Sequence, residues 1–159
     1  MKALQRLLLI DFDAEEEIVA SLGQRNLELK VPTDNNHTTL HFFNCHLSDL
    51  YAEVEHYYGL SRRNKDAIER IIDNILKDYY GGKNEAARKA AGIQYAQKYP
   101  VPENVIPFVD SETVDLFYLE DRINGIYYVL NSLIKSIENK SSAKITSNSL
   151  LNLESALVR

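Results

Sequence analysis

A seam of seven apolar residues constrains this chain more than any other feature, because its members recur at alternating spacings of three and four. They are Leu116, Leu119, Ile123, Ile126, Leu130, Leu133 and Ile137. Residues at that spacing share one face of an α-helix over three heptads. We therefore predict one long helix over residues 110–139, preceded by an extended connector at residues 100–109. The seam is buried either inside the chain's own helical bundle or in an interface with a partner or a second copy.

Three shorter helices are predicted between residues 48 and 99. In the second of them, residues 61–80, apolar residues recur at spacings of three and four. They are Ile68, Ile71, Ile72, Ile75, Leu76 and Tyr79. Gly59 is expected to end the first helix, because glycine destabilises a helix interior and is common just past a helix end. Asn84 is expected to cap the third helix, which Pro100 stops because proline lacks the backbone N–H donor.

The first 45 residues carry shorter apolar runs and an alternating pattern that is typical of strands. Residues 5–12 could form a short buried strand or the first turns of a helix, and we favour the strand. We expect a helix over residues 13–22 and a hairpin of strands 27–31 and 38–45. The predicted fold class is α+β and mainly α. It comprises a small N-terminal β-hairpin or three-stranded sheet, packed on a bundle of about four helices with one long C-terminal helix.

Residues 1–139 are expected to form a single globular domain, since 159 residues is the size of one domain. The stretch from Lys140 to Ser149 is rich in serine and asparagine and predicts a flexible linker. A short docking helix is predicted next by four leucines, Leu150, Leu151, Leu153 and Leu157. Residues 140–159 are therefore expected to be a flexible linker followed by a short C-terminal helix.

The formal net charge of −5 disfavours nucleic acid as a partner, because neutralisation of phosphates supplies most of such affinity. Arg62 and Arg63 lie in a basic middle segment that suits an acidic protein surface. Cys45 is the sole cysteine, which excludes an internal disulfide and is typical of a reducing compartment. No apolar run is long enough to span a membrane. We therefore expect a cytoplasmic protein without membrane contact.

A cluster of histidines at residues 37–46 raises the question of catalysis. On a strand, His37 and Thr39 would share one face, where an imidazole moves a proton and a hydroxyl holds a phosphate oxygen. The stretch His37-Thr38-Thr39-Leu40-His41-Phe42 resembles the first H-x-T-L-x-F motif of the 2H phosphoesterases, and the resemblance covers about the first 43 residues. Those enzymes need a second H-x-[ST] motif from another lobe. His46-Leu47-Ser48 has the right letters, but it lies only nine residues after His37.

Neither a metal nor a cofactor is predicted. A zinc site built from Cys45, His46 and His56 would require adjacent residues to converge, which strand alternation opposes. Glu53 and His56 make a single E-x-x-H step, whereas a di-iron bundle needs two. Glycine-rich phosphate loops and the G-x-S-x-G motif are also absent from the sequence.

Ten tyrosines and no tryptophan distinguish the composition. Each of three tyrosine pairs places one ring inward and the next ring about 100° around a helix. The candidate partner-binding residues are Tyr58, Tyr80, Tyr128, Arg62 and Arg63. We expect a small acidic protein that binds another protein as a regulator, immunity protein, inhibitor or assembly factor. The alternative is a phosphoesterase-like enzyme that uses the His37 and Thr39 half-motif, with His46 as a further candidate.

Overall fold

The computed structural model describes residues 2–33, 36–78 and 83–157. The side chains of residues 147, 148 and 150–157 lie outside the described part. They include the side chains of the four leucines in the predicted docking helix. The described residues form six helices and a two-stranded antiparallel sheet. The predicted class, α+β and mainly α, is therefore confirmed, whereas a bundle of about four helices stays a prediction.

The chain divides into two compact units. The first unit comprises Met1–Ala14 and Leu60–Tyr127, and the second unit comprises Glu15–Gly59 and Tyr128–Arg159. A single domain over residues 1–139 stays a prediction.

The N-terminal residues form a helix where we predicted a strand. Helix α1 is Lys2–Leu8, and it replaces the strand expected at residues 5–12. Leu4 and Leu7, three positions apart, are both buried. The apolar run therefore packs with the helical period, and a run this short does not by itself distinguish a strand from a helix.

Helix α2, Phe12–Glu28, confirms the second predicted element but is longer at both ends. Its cap is Asp11, two residues earlier than predicted, because Asp11 Oδ1 accepts a hydrogen bond of 3.0 Å from Ala14 N. Gly23 does not end the helix, since burial of one face offsets the roughly 1 kcal/mol that a helical glycine costs. The buried residues of that face are Val19, Leu22 and Asn26.

The predicted hairpin is wrong, because its second strand lies in helix α3, His37–Asp78. Asn36 Oδ1 caps this helix by accepting a hydrogen bond of 2.9 Å from Thr38 N. The alternation at residues 38–45 is local, whereas buried side chains continue at helical spacing far beyond it. They are Phe43, Leu47, Leu50, Val54, Ala67, Ile68 and Ile72. Gly59 therefore lies inside one 42-residue helix. The predicted end of the 61–80 helix lies outside the described residues.

Helix α4, Glu85–Gln97, agrees with the third predicted helix. Asn84 Oδ1 caps it by accepting a hydrogen bond of 2.8 Å from Ala87 N. Strand β1, Tyr99–Pro100, follows and pairs antiparallel with strand β2, Thr113–Val114. Between them lies helix α5, Ile106–Val109, so the connector is only partly extended.

Helix α6, Leu116–Leu157, begins later than predicted and ends later. Asp115 Oδ1 caps its first turn by accepting a hydrogen bond of 2.9 Å from Phe117 N. Six of the seven seam side chains are buried, and Leu133 is half-buried. The seam therefore packs inside its own chain.

Residues 140–149, where we expected a flexible linker, belong to α6. Ser149 Oγ donates a hydrogen bond of 3.0 Å to Ile145 O, so its hydroxyl is satisfied by the preceding turn of the helix. Lys140 and Lys144 donate hydrogen bonds to Leu29 O and Asn44 Oδ1. These tertiary contacts hold a polar stretch in helical conformation.

Candidate functional site

The predicted catalytic residues His37, Thr39 and His46 lie on α3, and the helix does not bring them together. Residues two positions apart lie about 200° apart around a helix, so His37 and Thr39 do not share a face. His37 and His46, nine positions apart, lie about 180° apart. The strand face that the phosphoesterase hypothesis required is therefore absent from this part of the described chain.

His46 makes its contacts within its own helix. Its Nδ1 donates a hydrogen bond of 2.9 Å to Phe42 O. Its ring also lies against the Phe42 ring, with 4.0 Å between the centroids. These two contacts hold the imidazole along the surface of α3.

His41 and Cys45 lie one turn apart on the exposed side of α3. Cys45 Sγ is 3.7 Å from His41 Nε2, and Cys45 is a free thiol. Within residues 2–33, 36–78 and 83–157, no group of three or more His, Cys, Asp or Glu side chains is placed to hold a metal ion.

The predicted partner-binding residues occupy different positions. Tyr58 is half-buried on α3 in the second unit, whereas Arg62 and Arg63 are exposed on α3 in the first unit. Tyr128 is 57% exposed on α6 in the second unit. Tyr80 lies outside the described residues. Tyr128, Arg62 and Arg63 therefore have the exposure that a contact residue needs.

In the first unit, carboxylates from α3 and α6 gather around Glu120. Burial raises the pKa of Glu120 above its usual value, and the negative charges of Glu69 and Asp121 raise it further. Lys65 opposes that shift, and it also forms an ion pair with Glu69. Its Nζ lies 5.7 Å from the centroid of the Tyr127 ring. The sequence shows the i, i+4 spacing of Lys65 and Glu69, but the approach of Glu120 is tertiary.

In the second unit, Lys140 of α6 binds the end of α2. Its ammonium donates to the backbone oxygen and side-chain Oδ1 of Asn26, the latter at 3.0 Å, and to Leu29 O at 2.7 Å. These bonds satisfy carbonyls that a helix end leaves without intrahelical donors, and they place a cation at the negative end of the helix dipole. Burial lowers the pKa of Lys140 from its usual value.

The Lys140 contact continues through a buried amide. Asn26 is buried, and its Nδ2 donates a hydrogen bond of 2.9 Å to Ser136 Oγ on α6. Lys140, Asn26 and Ser136 thus form a continuous polar network between two helices. No sequence motif marked it, because the partners on α2 and α6 are 110 to 114 positions apart.

No protein-family model matches this chain, and neither a curated protein nor a solved structure matches it significantly. Although α3 and α6 are each 42 residues long, no helix in the described ranges is both long and apolar enough to cross a membrane.

Proposed function

We propose that this chain is a cytoplasmic protein that acts by binding another protein through a partner face, defined as Tyr128 and Val129 on α6. The two side chains are 57% and 49% exposed, whereas the seam on the same helix is buried. Tyrosine is enriched in protein interfaces because one side chain supplies a large apolar surface together with a hydroxyl. The proposal is supported by two adjacent exposed side chains, whereas the neighbours of the exposed Tyr118, Phe117 and Leu119, are half-buried and buried.

Charge and thiol chemistry support the same proposal. The net charge of −5 favours a protein partner over nucleic acid. Arg62 and Arg63 of the first unit are both exposed and would suit acidic groups of a protein. Cys45 is a free and exposed thiol, which fits a reducing compartment such as the cytoplasm. A regulator, an immunity or inhibitor protein, and an assembly factor all act by such binding.

The proposed partner is a different protein rather than a second copy joined at the seam. Burial of six seam side chains in one chain leaves little apolar surface there for a homodimer. Sedimentation velocity of the purified chain tests this point directly, and a concentration-dependent dimer would contradict it.

The experiment is affinity purification of the tagged full chain from its native host, with nuclease, followed by calorimetry with the purified partner. Tyr128→Ala is compared with Tyr118→Ala, a matched control that is 64% exposed on the same helix. We expect one stoichiometric partner, whose affinity falls at least about tenfold in Tyr128→Ala. Tyrosine is enriched among interface hot spots, whose truncation costs about 2 kcal/mol or more. Tyr118→Ala should retain the affinity.

Two results would overturn the proposal. A partner that binds Tyr128→Ala as tightly as the wild type would show that the partner face is elsewhere. Absence of any protein partner, with nucleic acid captured instead and released steeply by salt, would replace protein binding by nucleic-acid binding.

A further inference from the structure

The second unit contains an open concavity of about 510 Å³ between α6 and the segment that follows α2. Its apolar wall includes Val31. Its polar lining consists of Ser132, Lys135, Ser136, Asn139 and Lys140. Two ammonium groups and no carboxylate line this surface, although the chain as a whole has a net charge of −5. The concavity is therefore a local positive site on an acidic protein.

Helical spacing directs the polar lining to one side. Ser132, Lys135, Ser136 and Asn139 follow one another at i, i+3, i+4 and i+7 on α6, and such positions share a face. Lys135 is exposed. The face therefore offers an ammonium, two hydroxyls and an amide as hydrogen-bond donors to one ligand.

The polar network orients one of these donors. Lys140 donates to Asn26 Oδ1, and Asn26 Nδ2 donates to Ser136 Oγ. Because Ser136 Oγ accepts that bond, its own hydrogen is left to donate elsewhere. The chain of donors therefore ends at a hydroxyl on the wall of the concavity, where a ligand with acceptor oxygens would complete it.

Lys140 contributes charge rather than a direct hydrogen bond. Its three contacts are to uncharged oxygens of Asn26 and Leu29, and no carboxylate of the described residues pairs with it. The partial charges of the α2 carbonyls offset the ammonium only in part. An anion in the concavity would therefore gain from a cation that is already held in place.

We propose that this concavity binds the phosphate group of a phosphorylated small molecule. A phosphate dianion offers three acceptor oxygens and up to two charges, which match Lys135 and the hydroxyls of Ser132 and Ser136. A carboxylate offers two oxygens and one charge. The volume lies within the range of small-molecule sites and leaves room for an organic group beyond the phosphate. This inference stands apart from protein binding at the partner face.

The test is an NMR titration of the ¹⁵N-labelled full chain with inorganic phosphate, repeated with acetate at matched ionic strength. We expect saturable shifts confined to the amides of Val31 and the lining residues of α6. Acetate should bind at least about tenfold more weakly. Lys135→Gln should weaken phosphate binding about tenfold, because it removes a charge-assisted hydrogen bond. Ser132→Ala, at an exposed position, should weaken it severalfold.

The control is Lys89→Gln, an exposed lysine of α4 in the first unit, which should bind phosphate like the wild type. Shifts that stay linear with concentration, or that spread over both units, would overturn the site. So would equal losses in Lys135→Gln and Lys89→Gln. Acetate binding as tight as phosphate binding would overturn the assignment to phosphate.

Discussion

The contacts that stabilise the interior of the first unit differ in kind from those that stabilise the second. The first unit contains a contiguous apolar cluster contributed by α1, α3, α4 and α6. Its buried members are Leu4, Leu7, Ala67, Ile68, Ile72, Ala96, Leu116, Leu119 and Ile123. The second unit also buries apolar side chains, but it adds part-buried polar bonds between helices, through Asn26 and Ser136 and through Lys144 and Asn44. The polar contact between α2 and α6 in the first unit, the ion pair of Arg122 and Asp13, is exposed.

This difference separates two ways of positioning a helix. Apolar packing is non-directional and follows volume, so many side chains share the task in the first unit. A hydrogen bond requires two specific atoms at about 3 Å, so a few atoms set the register of α2 against α6 in the second unit. The same polar network also places donors on the wall of the concavity. In the second unit, therefore, stability and the proposed ligand site share residues.

The largest change in the free energy of unfolding is expected from a substitution in the apolar cluster of the first unit. Ile68 is 0% exposed. Ile68→Ala should lower the free energy of unfolding by about 2–5 kcal/mol, because it removes buried methyl groups and leaves a cavity. Urea denaturation measures the change. Leu27→Ala, at a position 71% exposed, should stay within about 0.5 kcal/mol of the wild type. A loss below about 1 kcal/mol in Ile68→Ala would contradict this account of the first unit.

The next effect breaks the polar network of the second unit. Lys140→Met should lower the free energy of unfolding by about 1–3 kcal/mol, because it leaves part-buried oxygens of Asn26 and Leu29 without this donor. A double-mutant cycle with Asn26→Ala should show a coupling of at least about 0.5 kcal/mol. Lys135→Met is the control and should leave stability nearly unchanged. Additive effects of the two substitutions would mean that the network is not a unit.

A smaller effect concerns pH and the carboxylates of the first unit. Because the pKa of Glu120 is raised, the folded state holds more protons than the unfolded state between the usual and the raised value. The free energy of unfolding therefore falls as pH rises through that window, and the deficit remains at neutral pH. Glu120→Gln removes the charge, so it should be more stable than the wild type at neutral pH, by a margin that shrinks below the window.

Urea denaturation between about pH 4 and pH 7 measures the Glu120 effect. Glu112→Gln, at an exposed position outside the carboxylate cluster, is the control and should not reproduce the change with pH. A stabilisation by Glu120→Gln that grows on acidification would contradict a raised pKa of Glu120.

The smallest change in stability is expected from alanine substitutions at exposed helical glycines, one in each unit. A Cβ atom added at Gly125 on α6 or at Gly59 on α3 meets nothing within 4 Å. Gly125→Ala in the first unit and Gly59→Ala in the second should each stabilise the chain by about 0.5–1 kcal/mol, because alanine loses less backbone entropy in a helix. Thermal denaturation measures both. A destabilisation in one unit alone would show that its glycine faces a contact in solution.

Sequence patterns predicted the helices in which an apolar period continues over many residues, or whose first and last residues are set by neighbouring capping or stop residues. Asn84 and Pro100 bound α4 as expected, because each acts on the adjacent turn of the chain. The polar and apolar alternation at residues 38–45 predicted a strand, but these residues lie in α3. Burial at helical spacing, which continues as far as Ile72, outweighs that short alternation. The predicted shared face of His37 and Thr39 depended on that strand, and helix α3 does not provide it. The polar network and the concavity had no counterpart in the sequence pattern.

By itself, the sequence determined that α6 carries one buried face and that α4 begins and ends where it does. Both depend on residues within one or two helical turns of each other. Only the tertiary structure decided that α6 continues through residues 140–149 and that Lys140 meets the end of α2. Lys140 and Leu29 are 111 positions apart, and no local pattern encodes a hydrogen bond over that separation. The contact forms because apolar burial brings the two helices together. The carbonyls at the end of α2 have no intrahelical donors, and Lys140 donates hydrogen bonds to them.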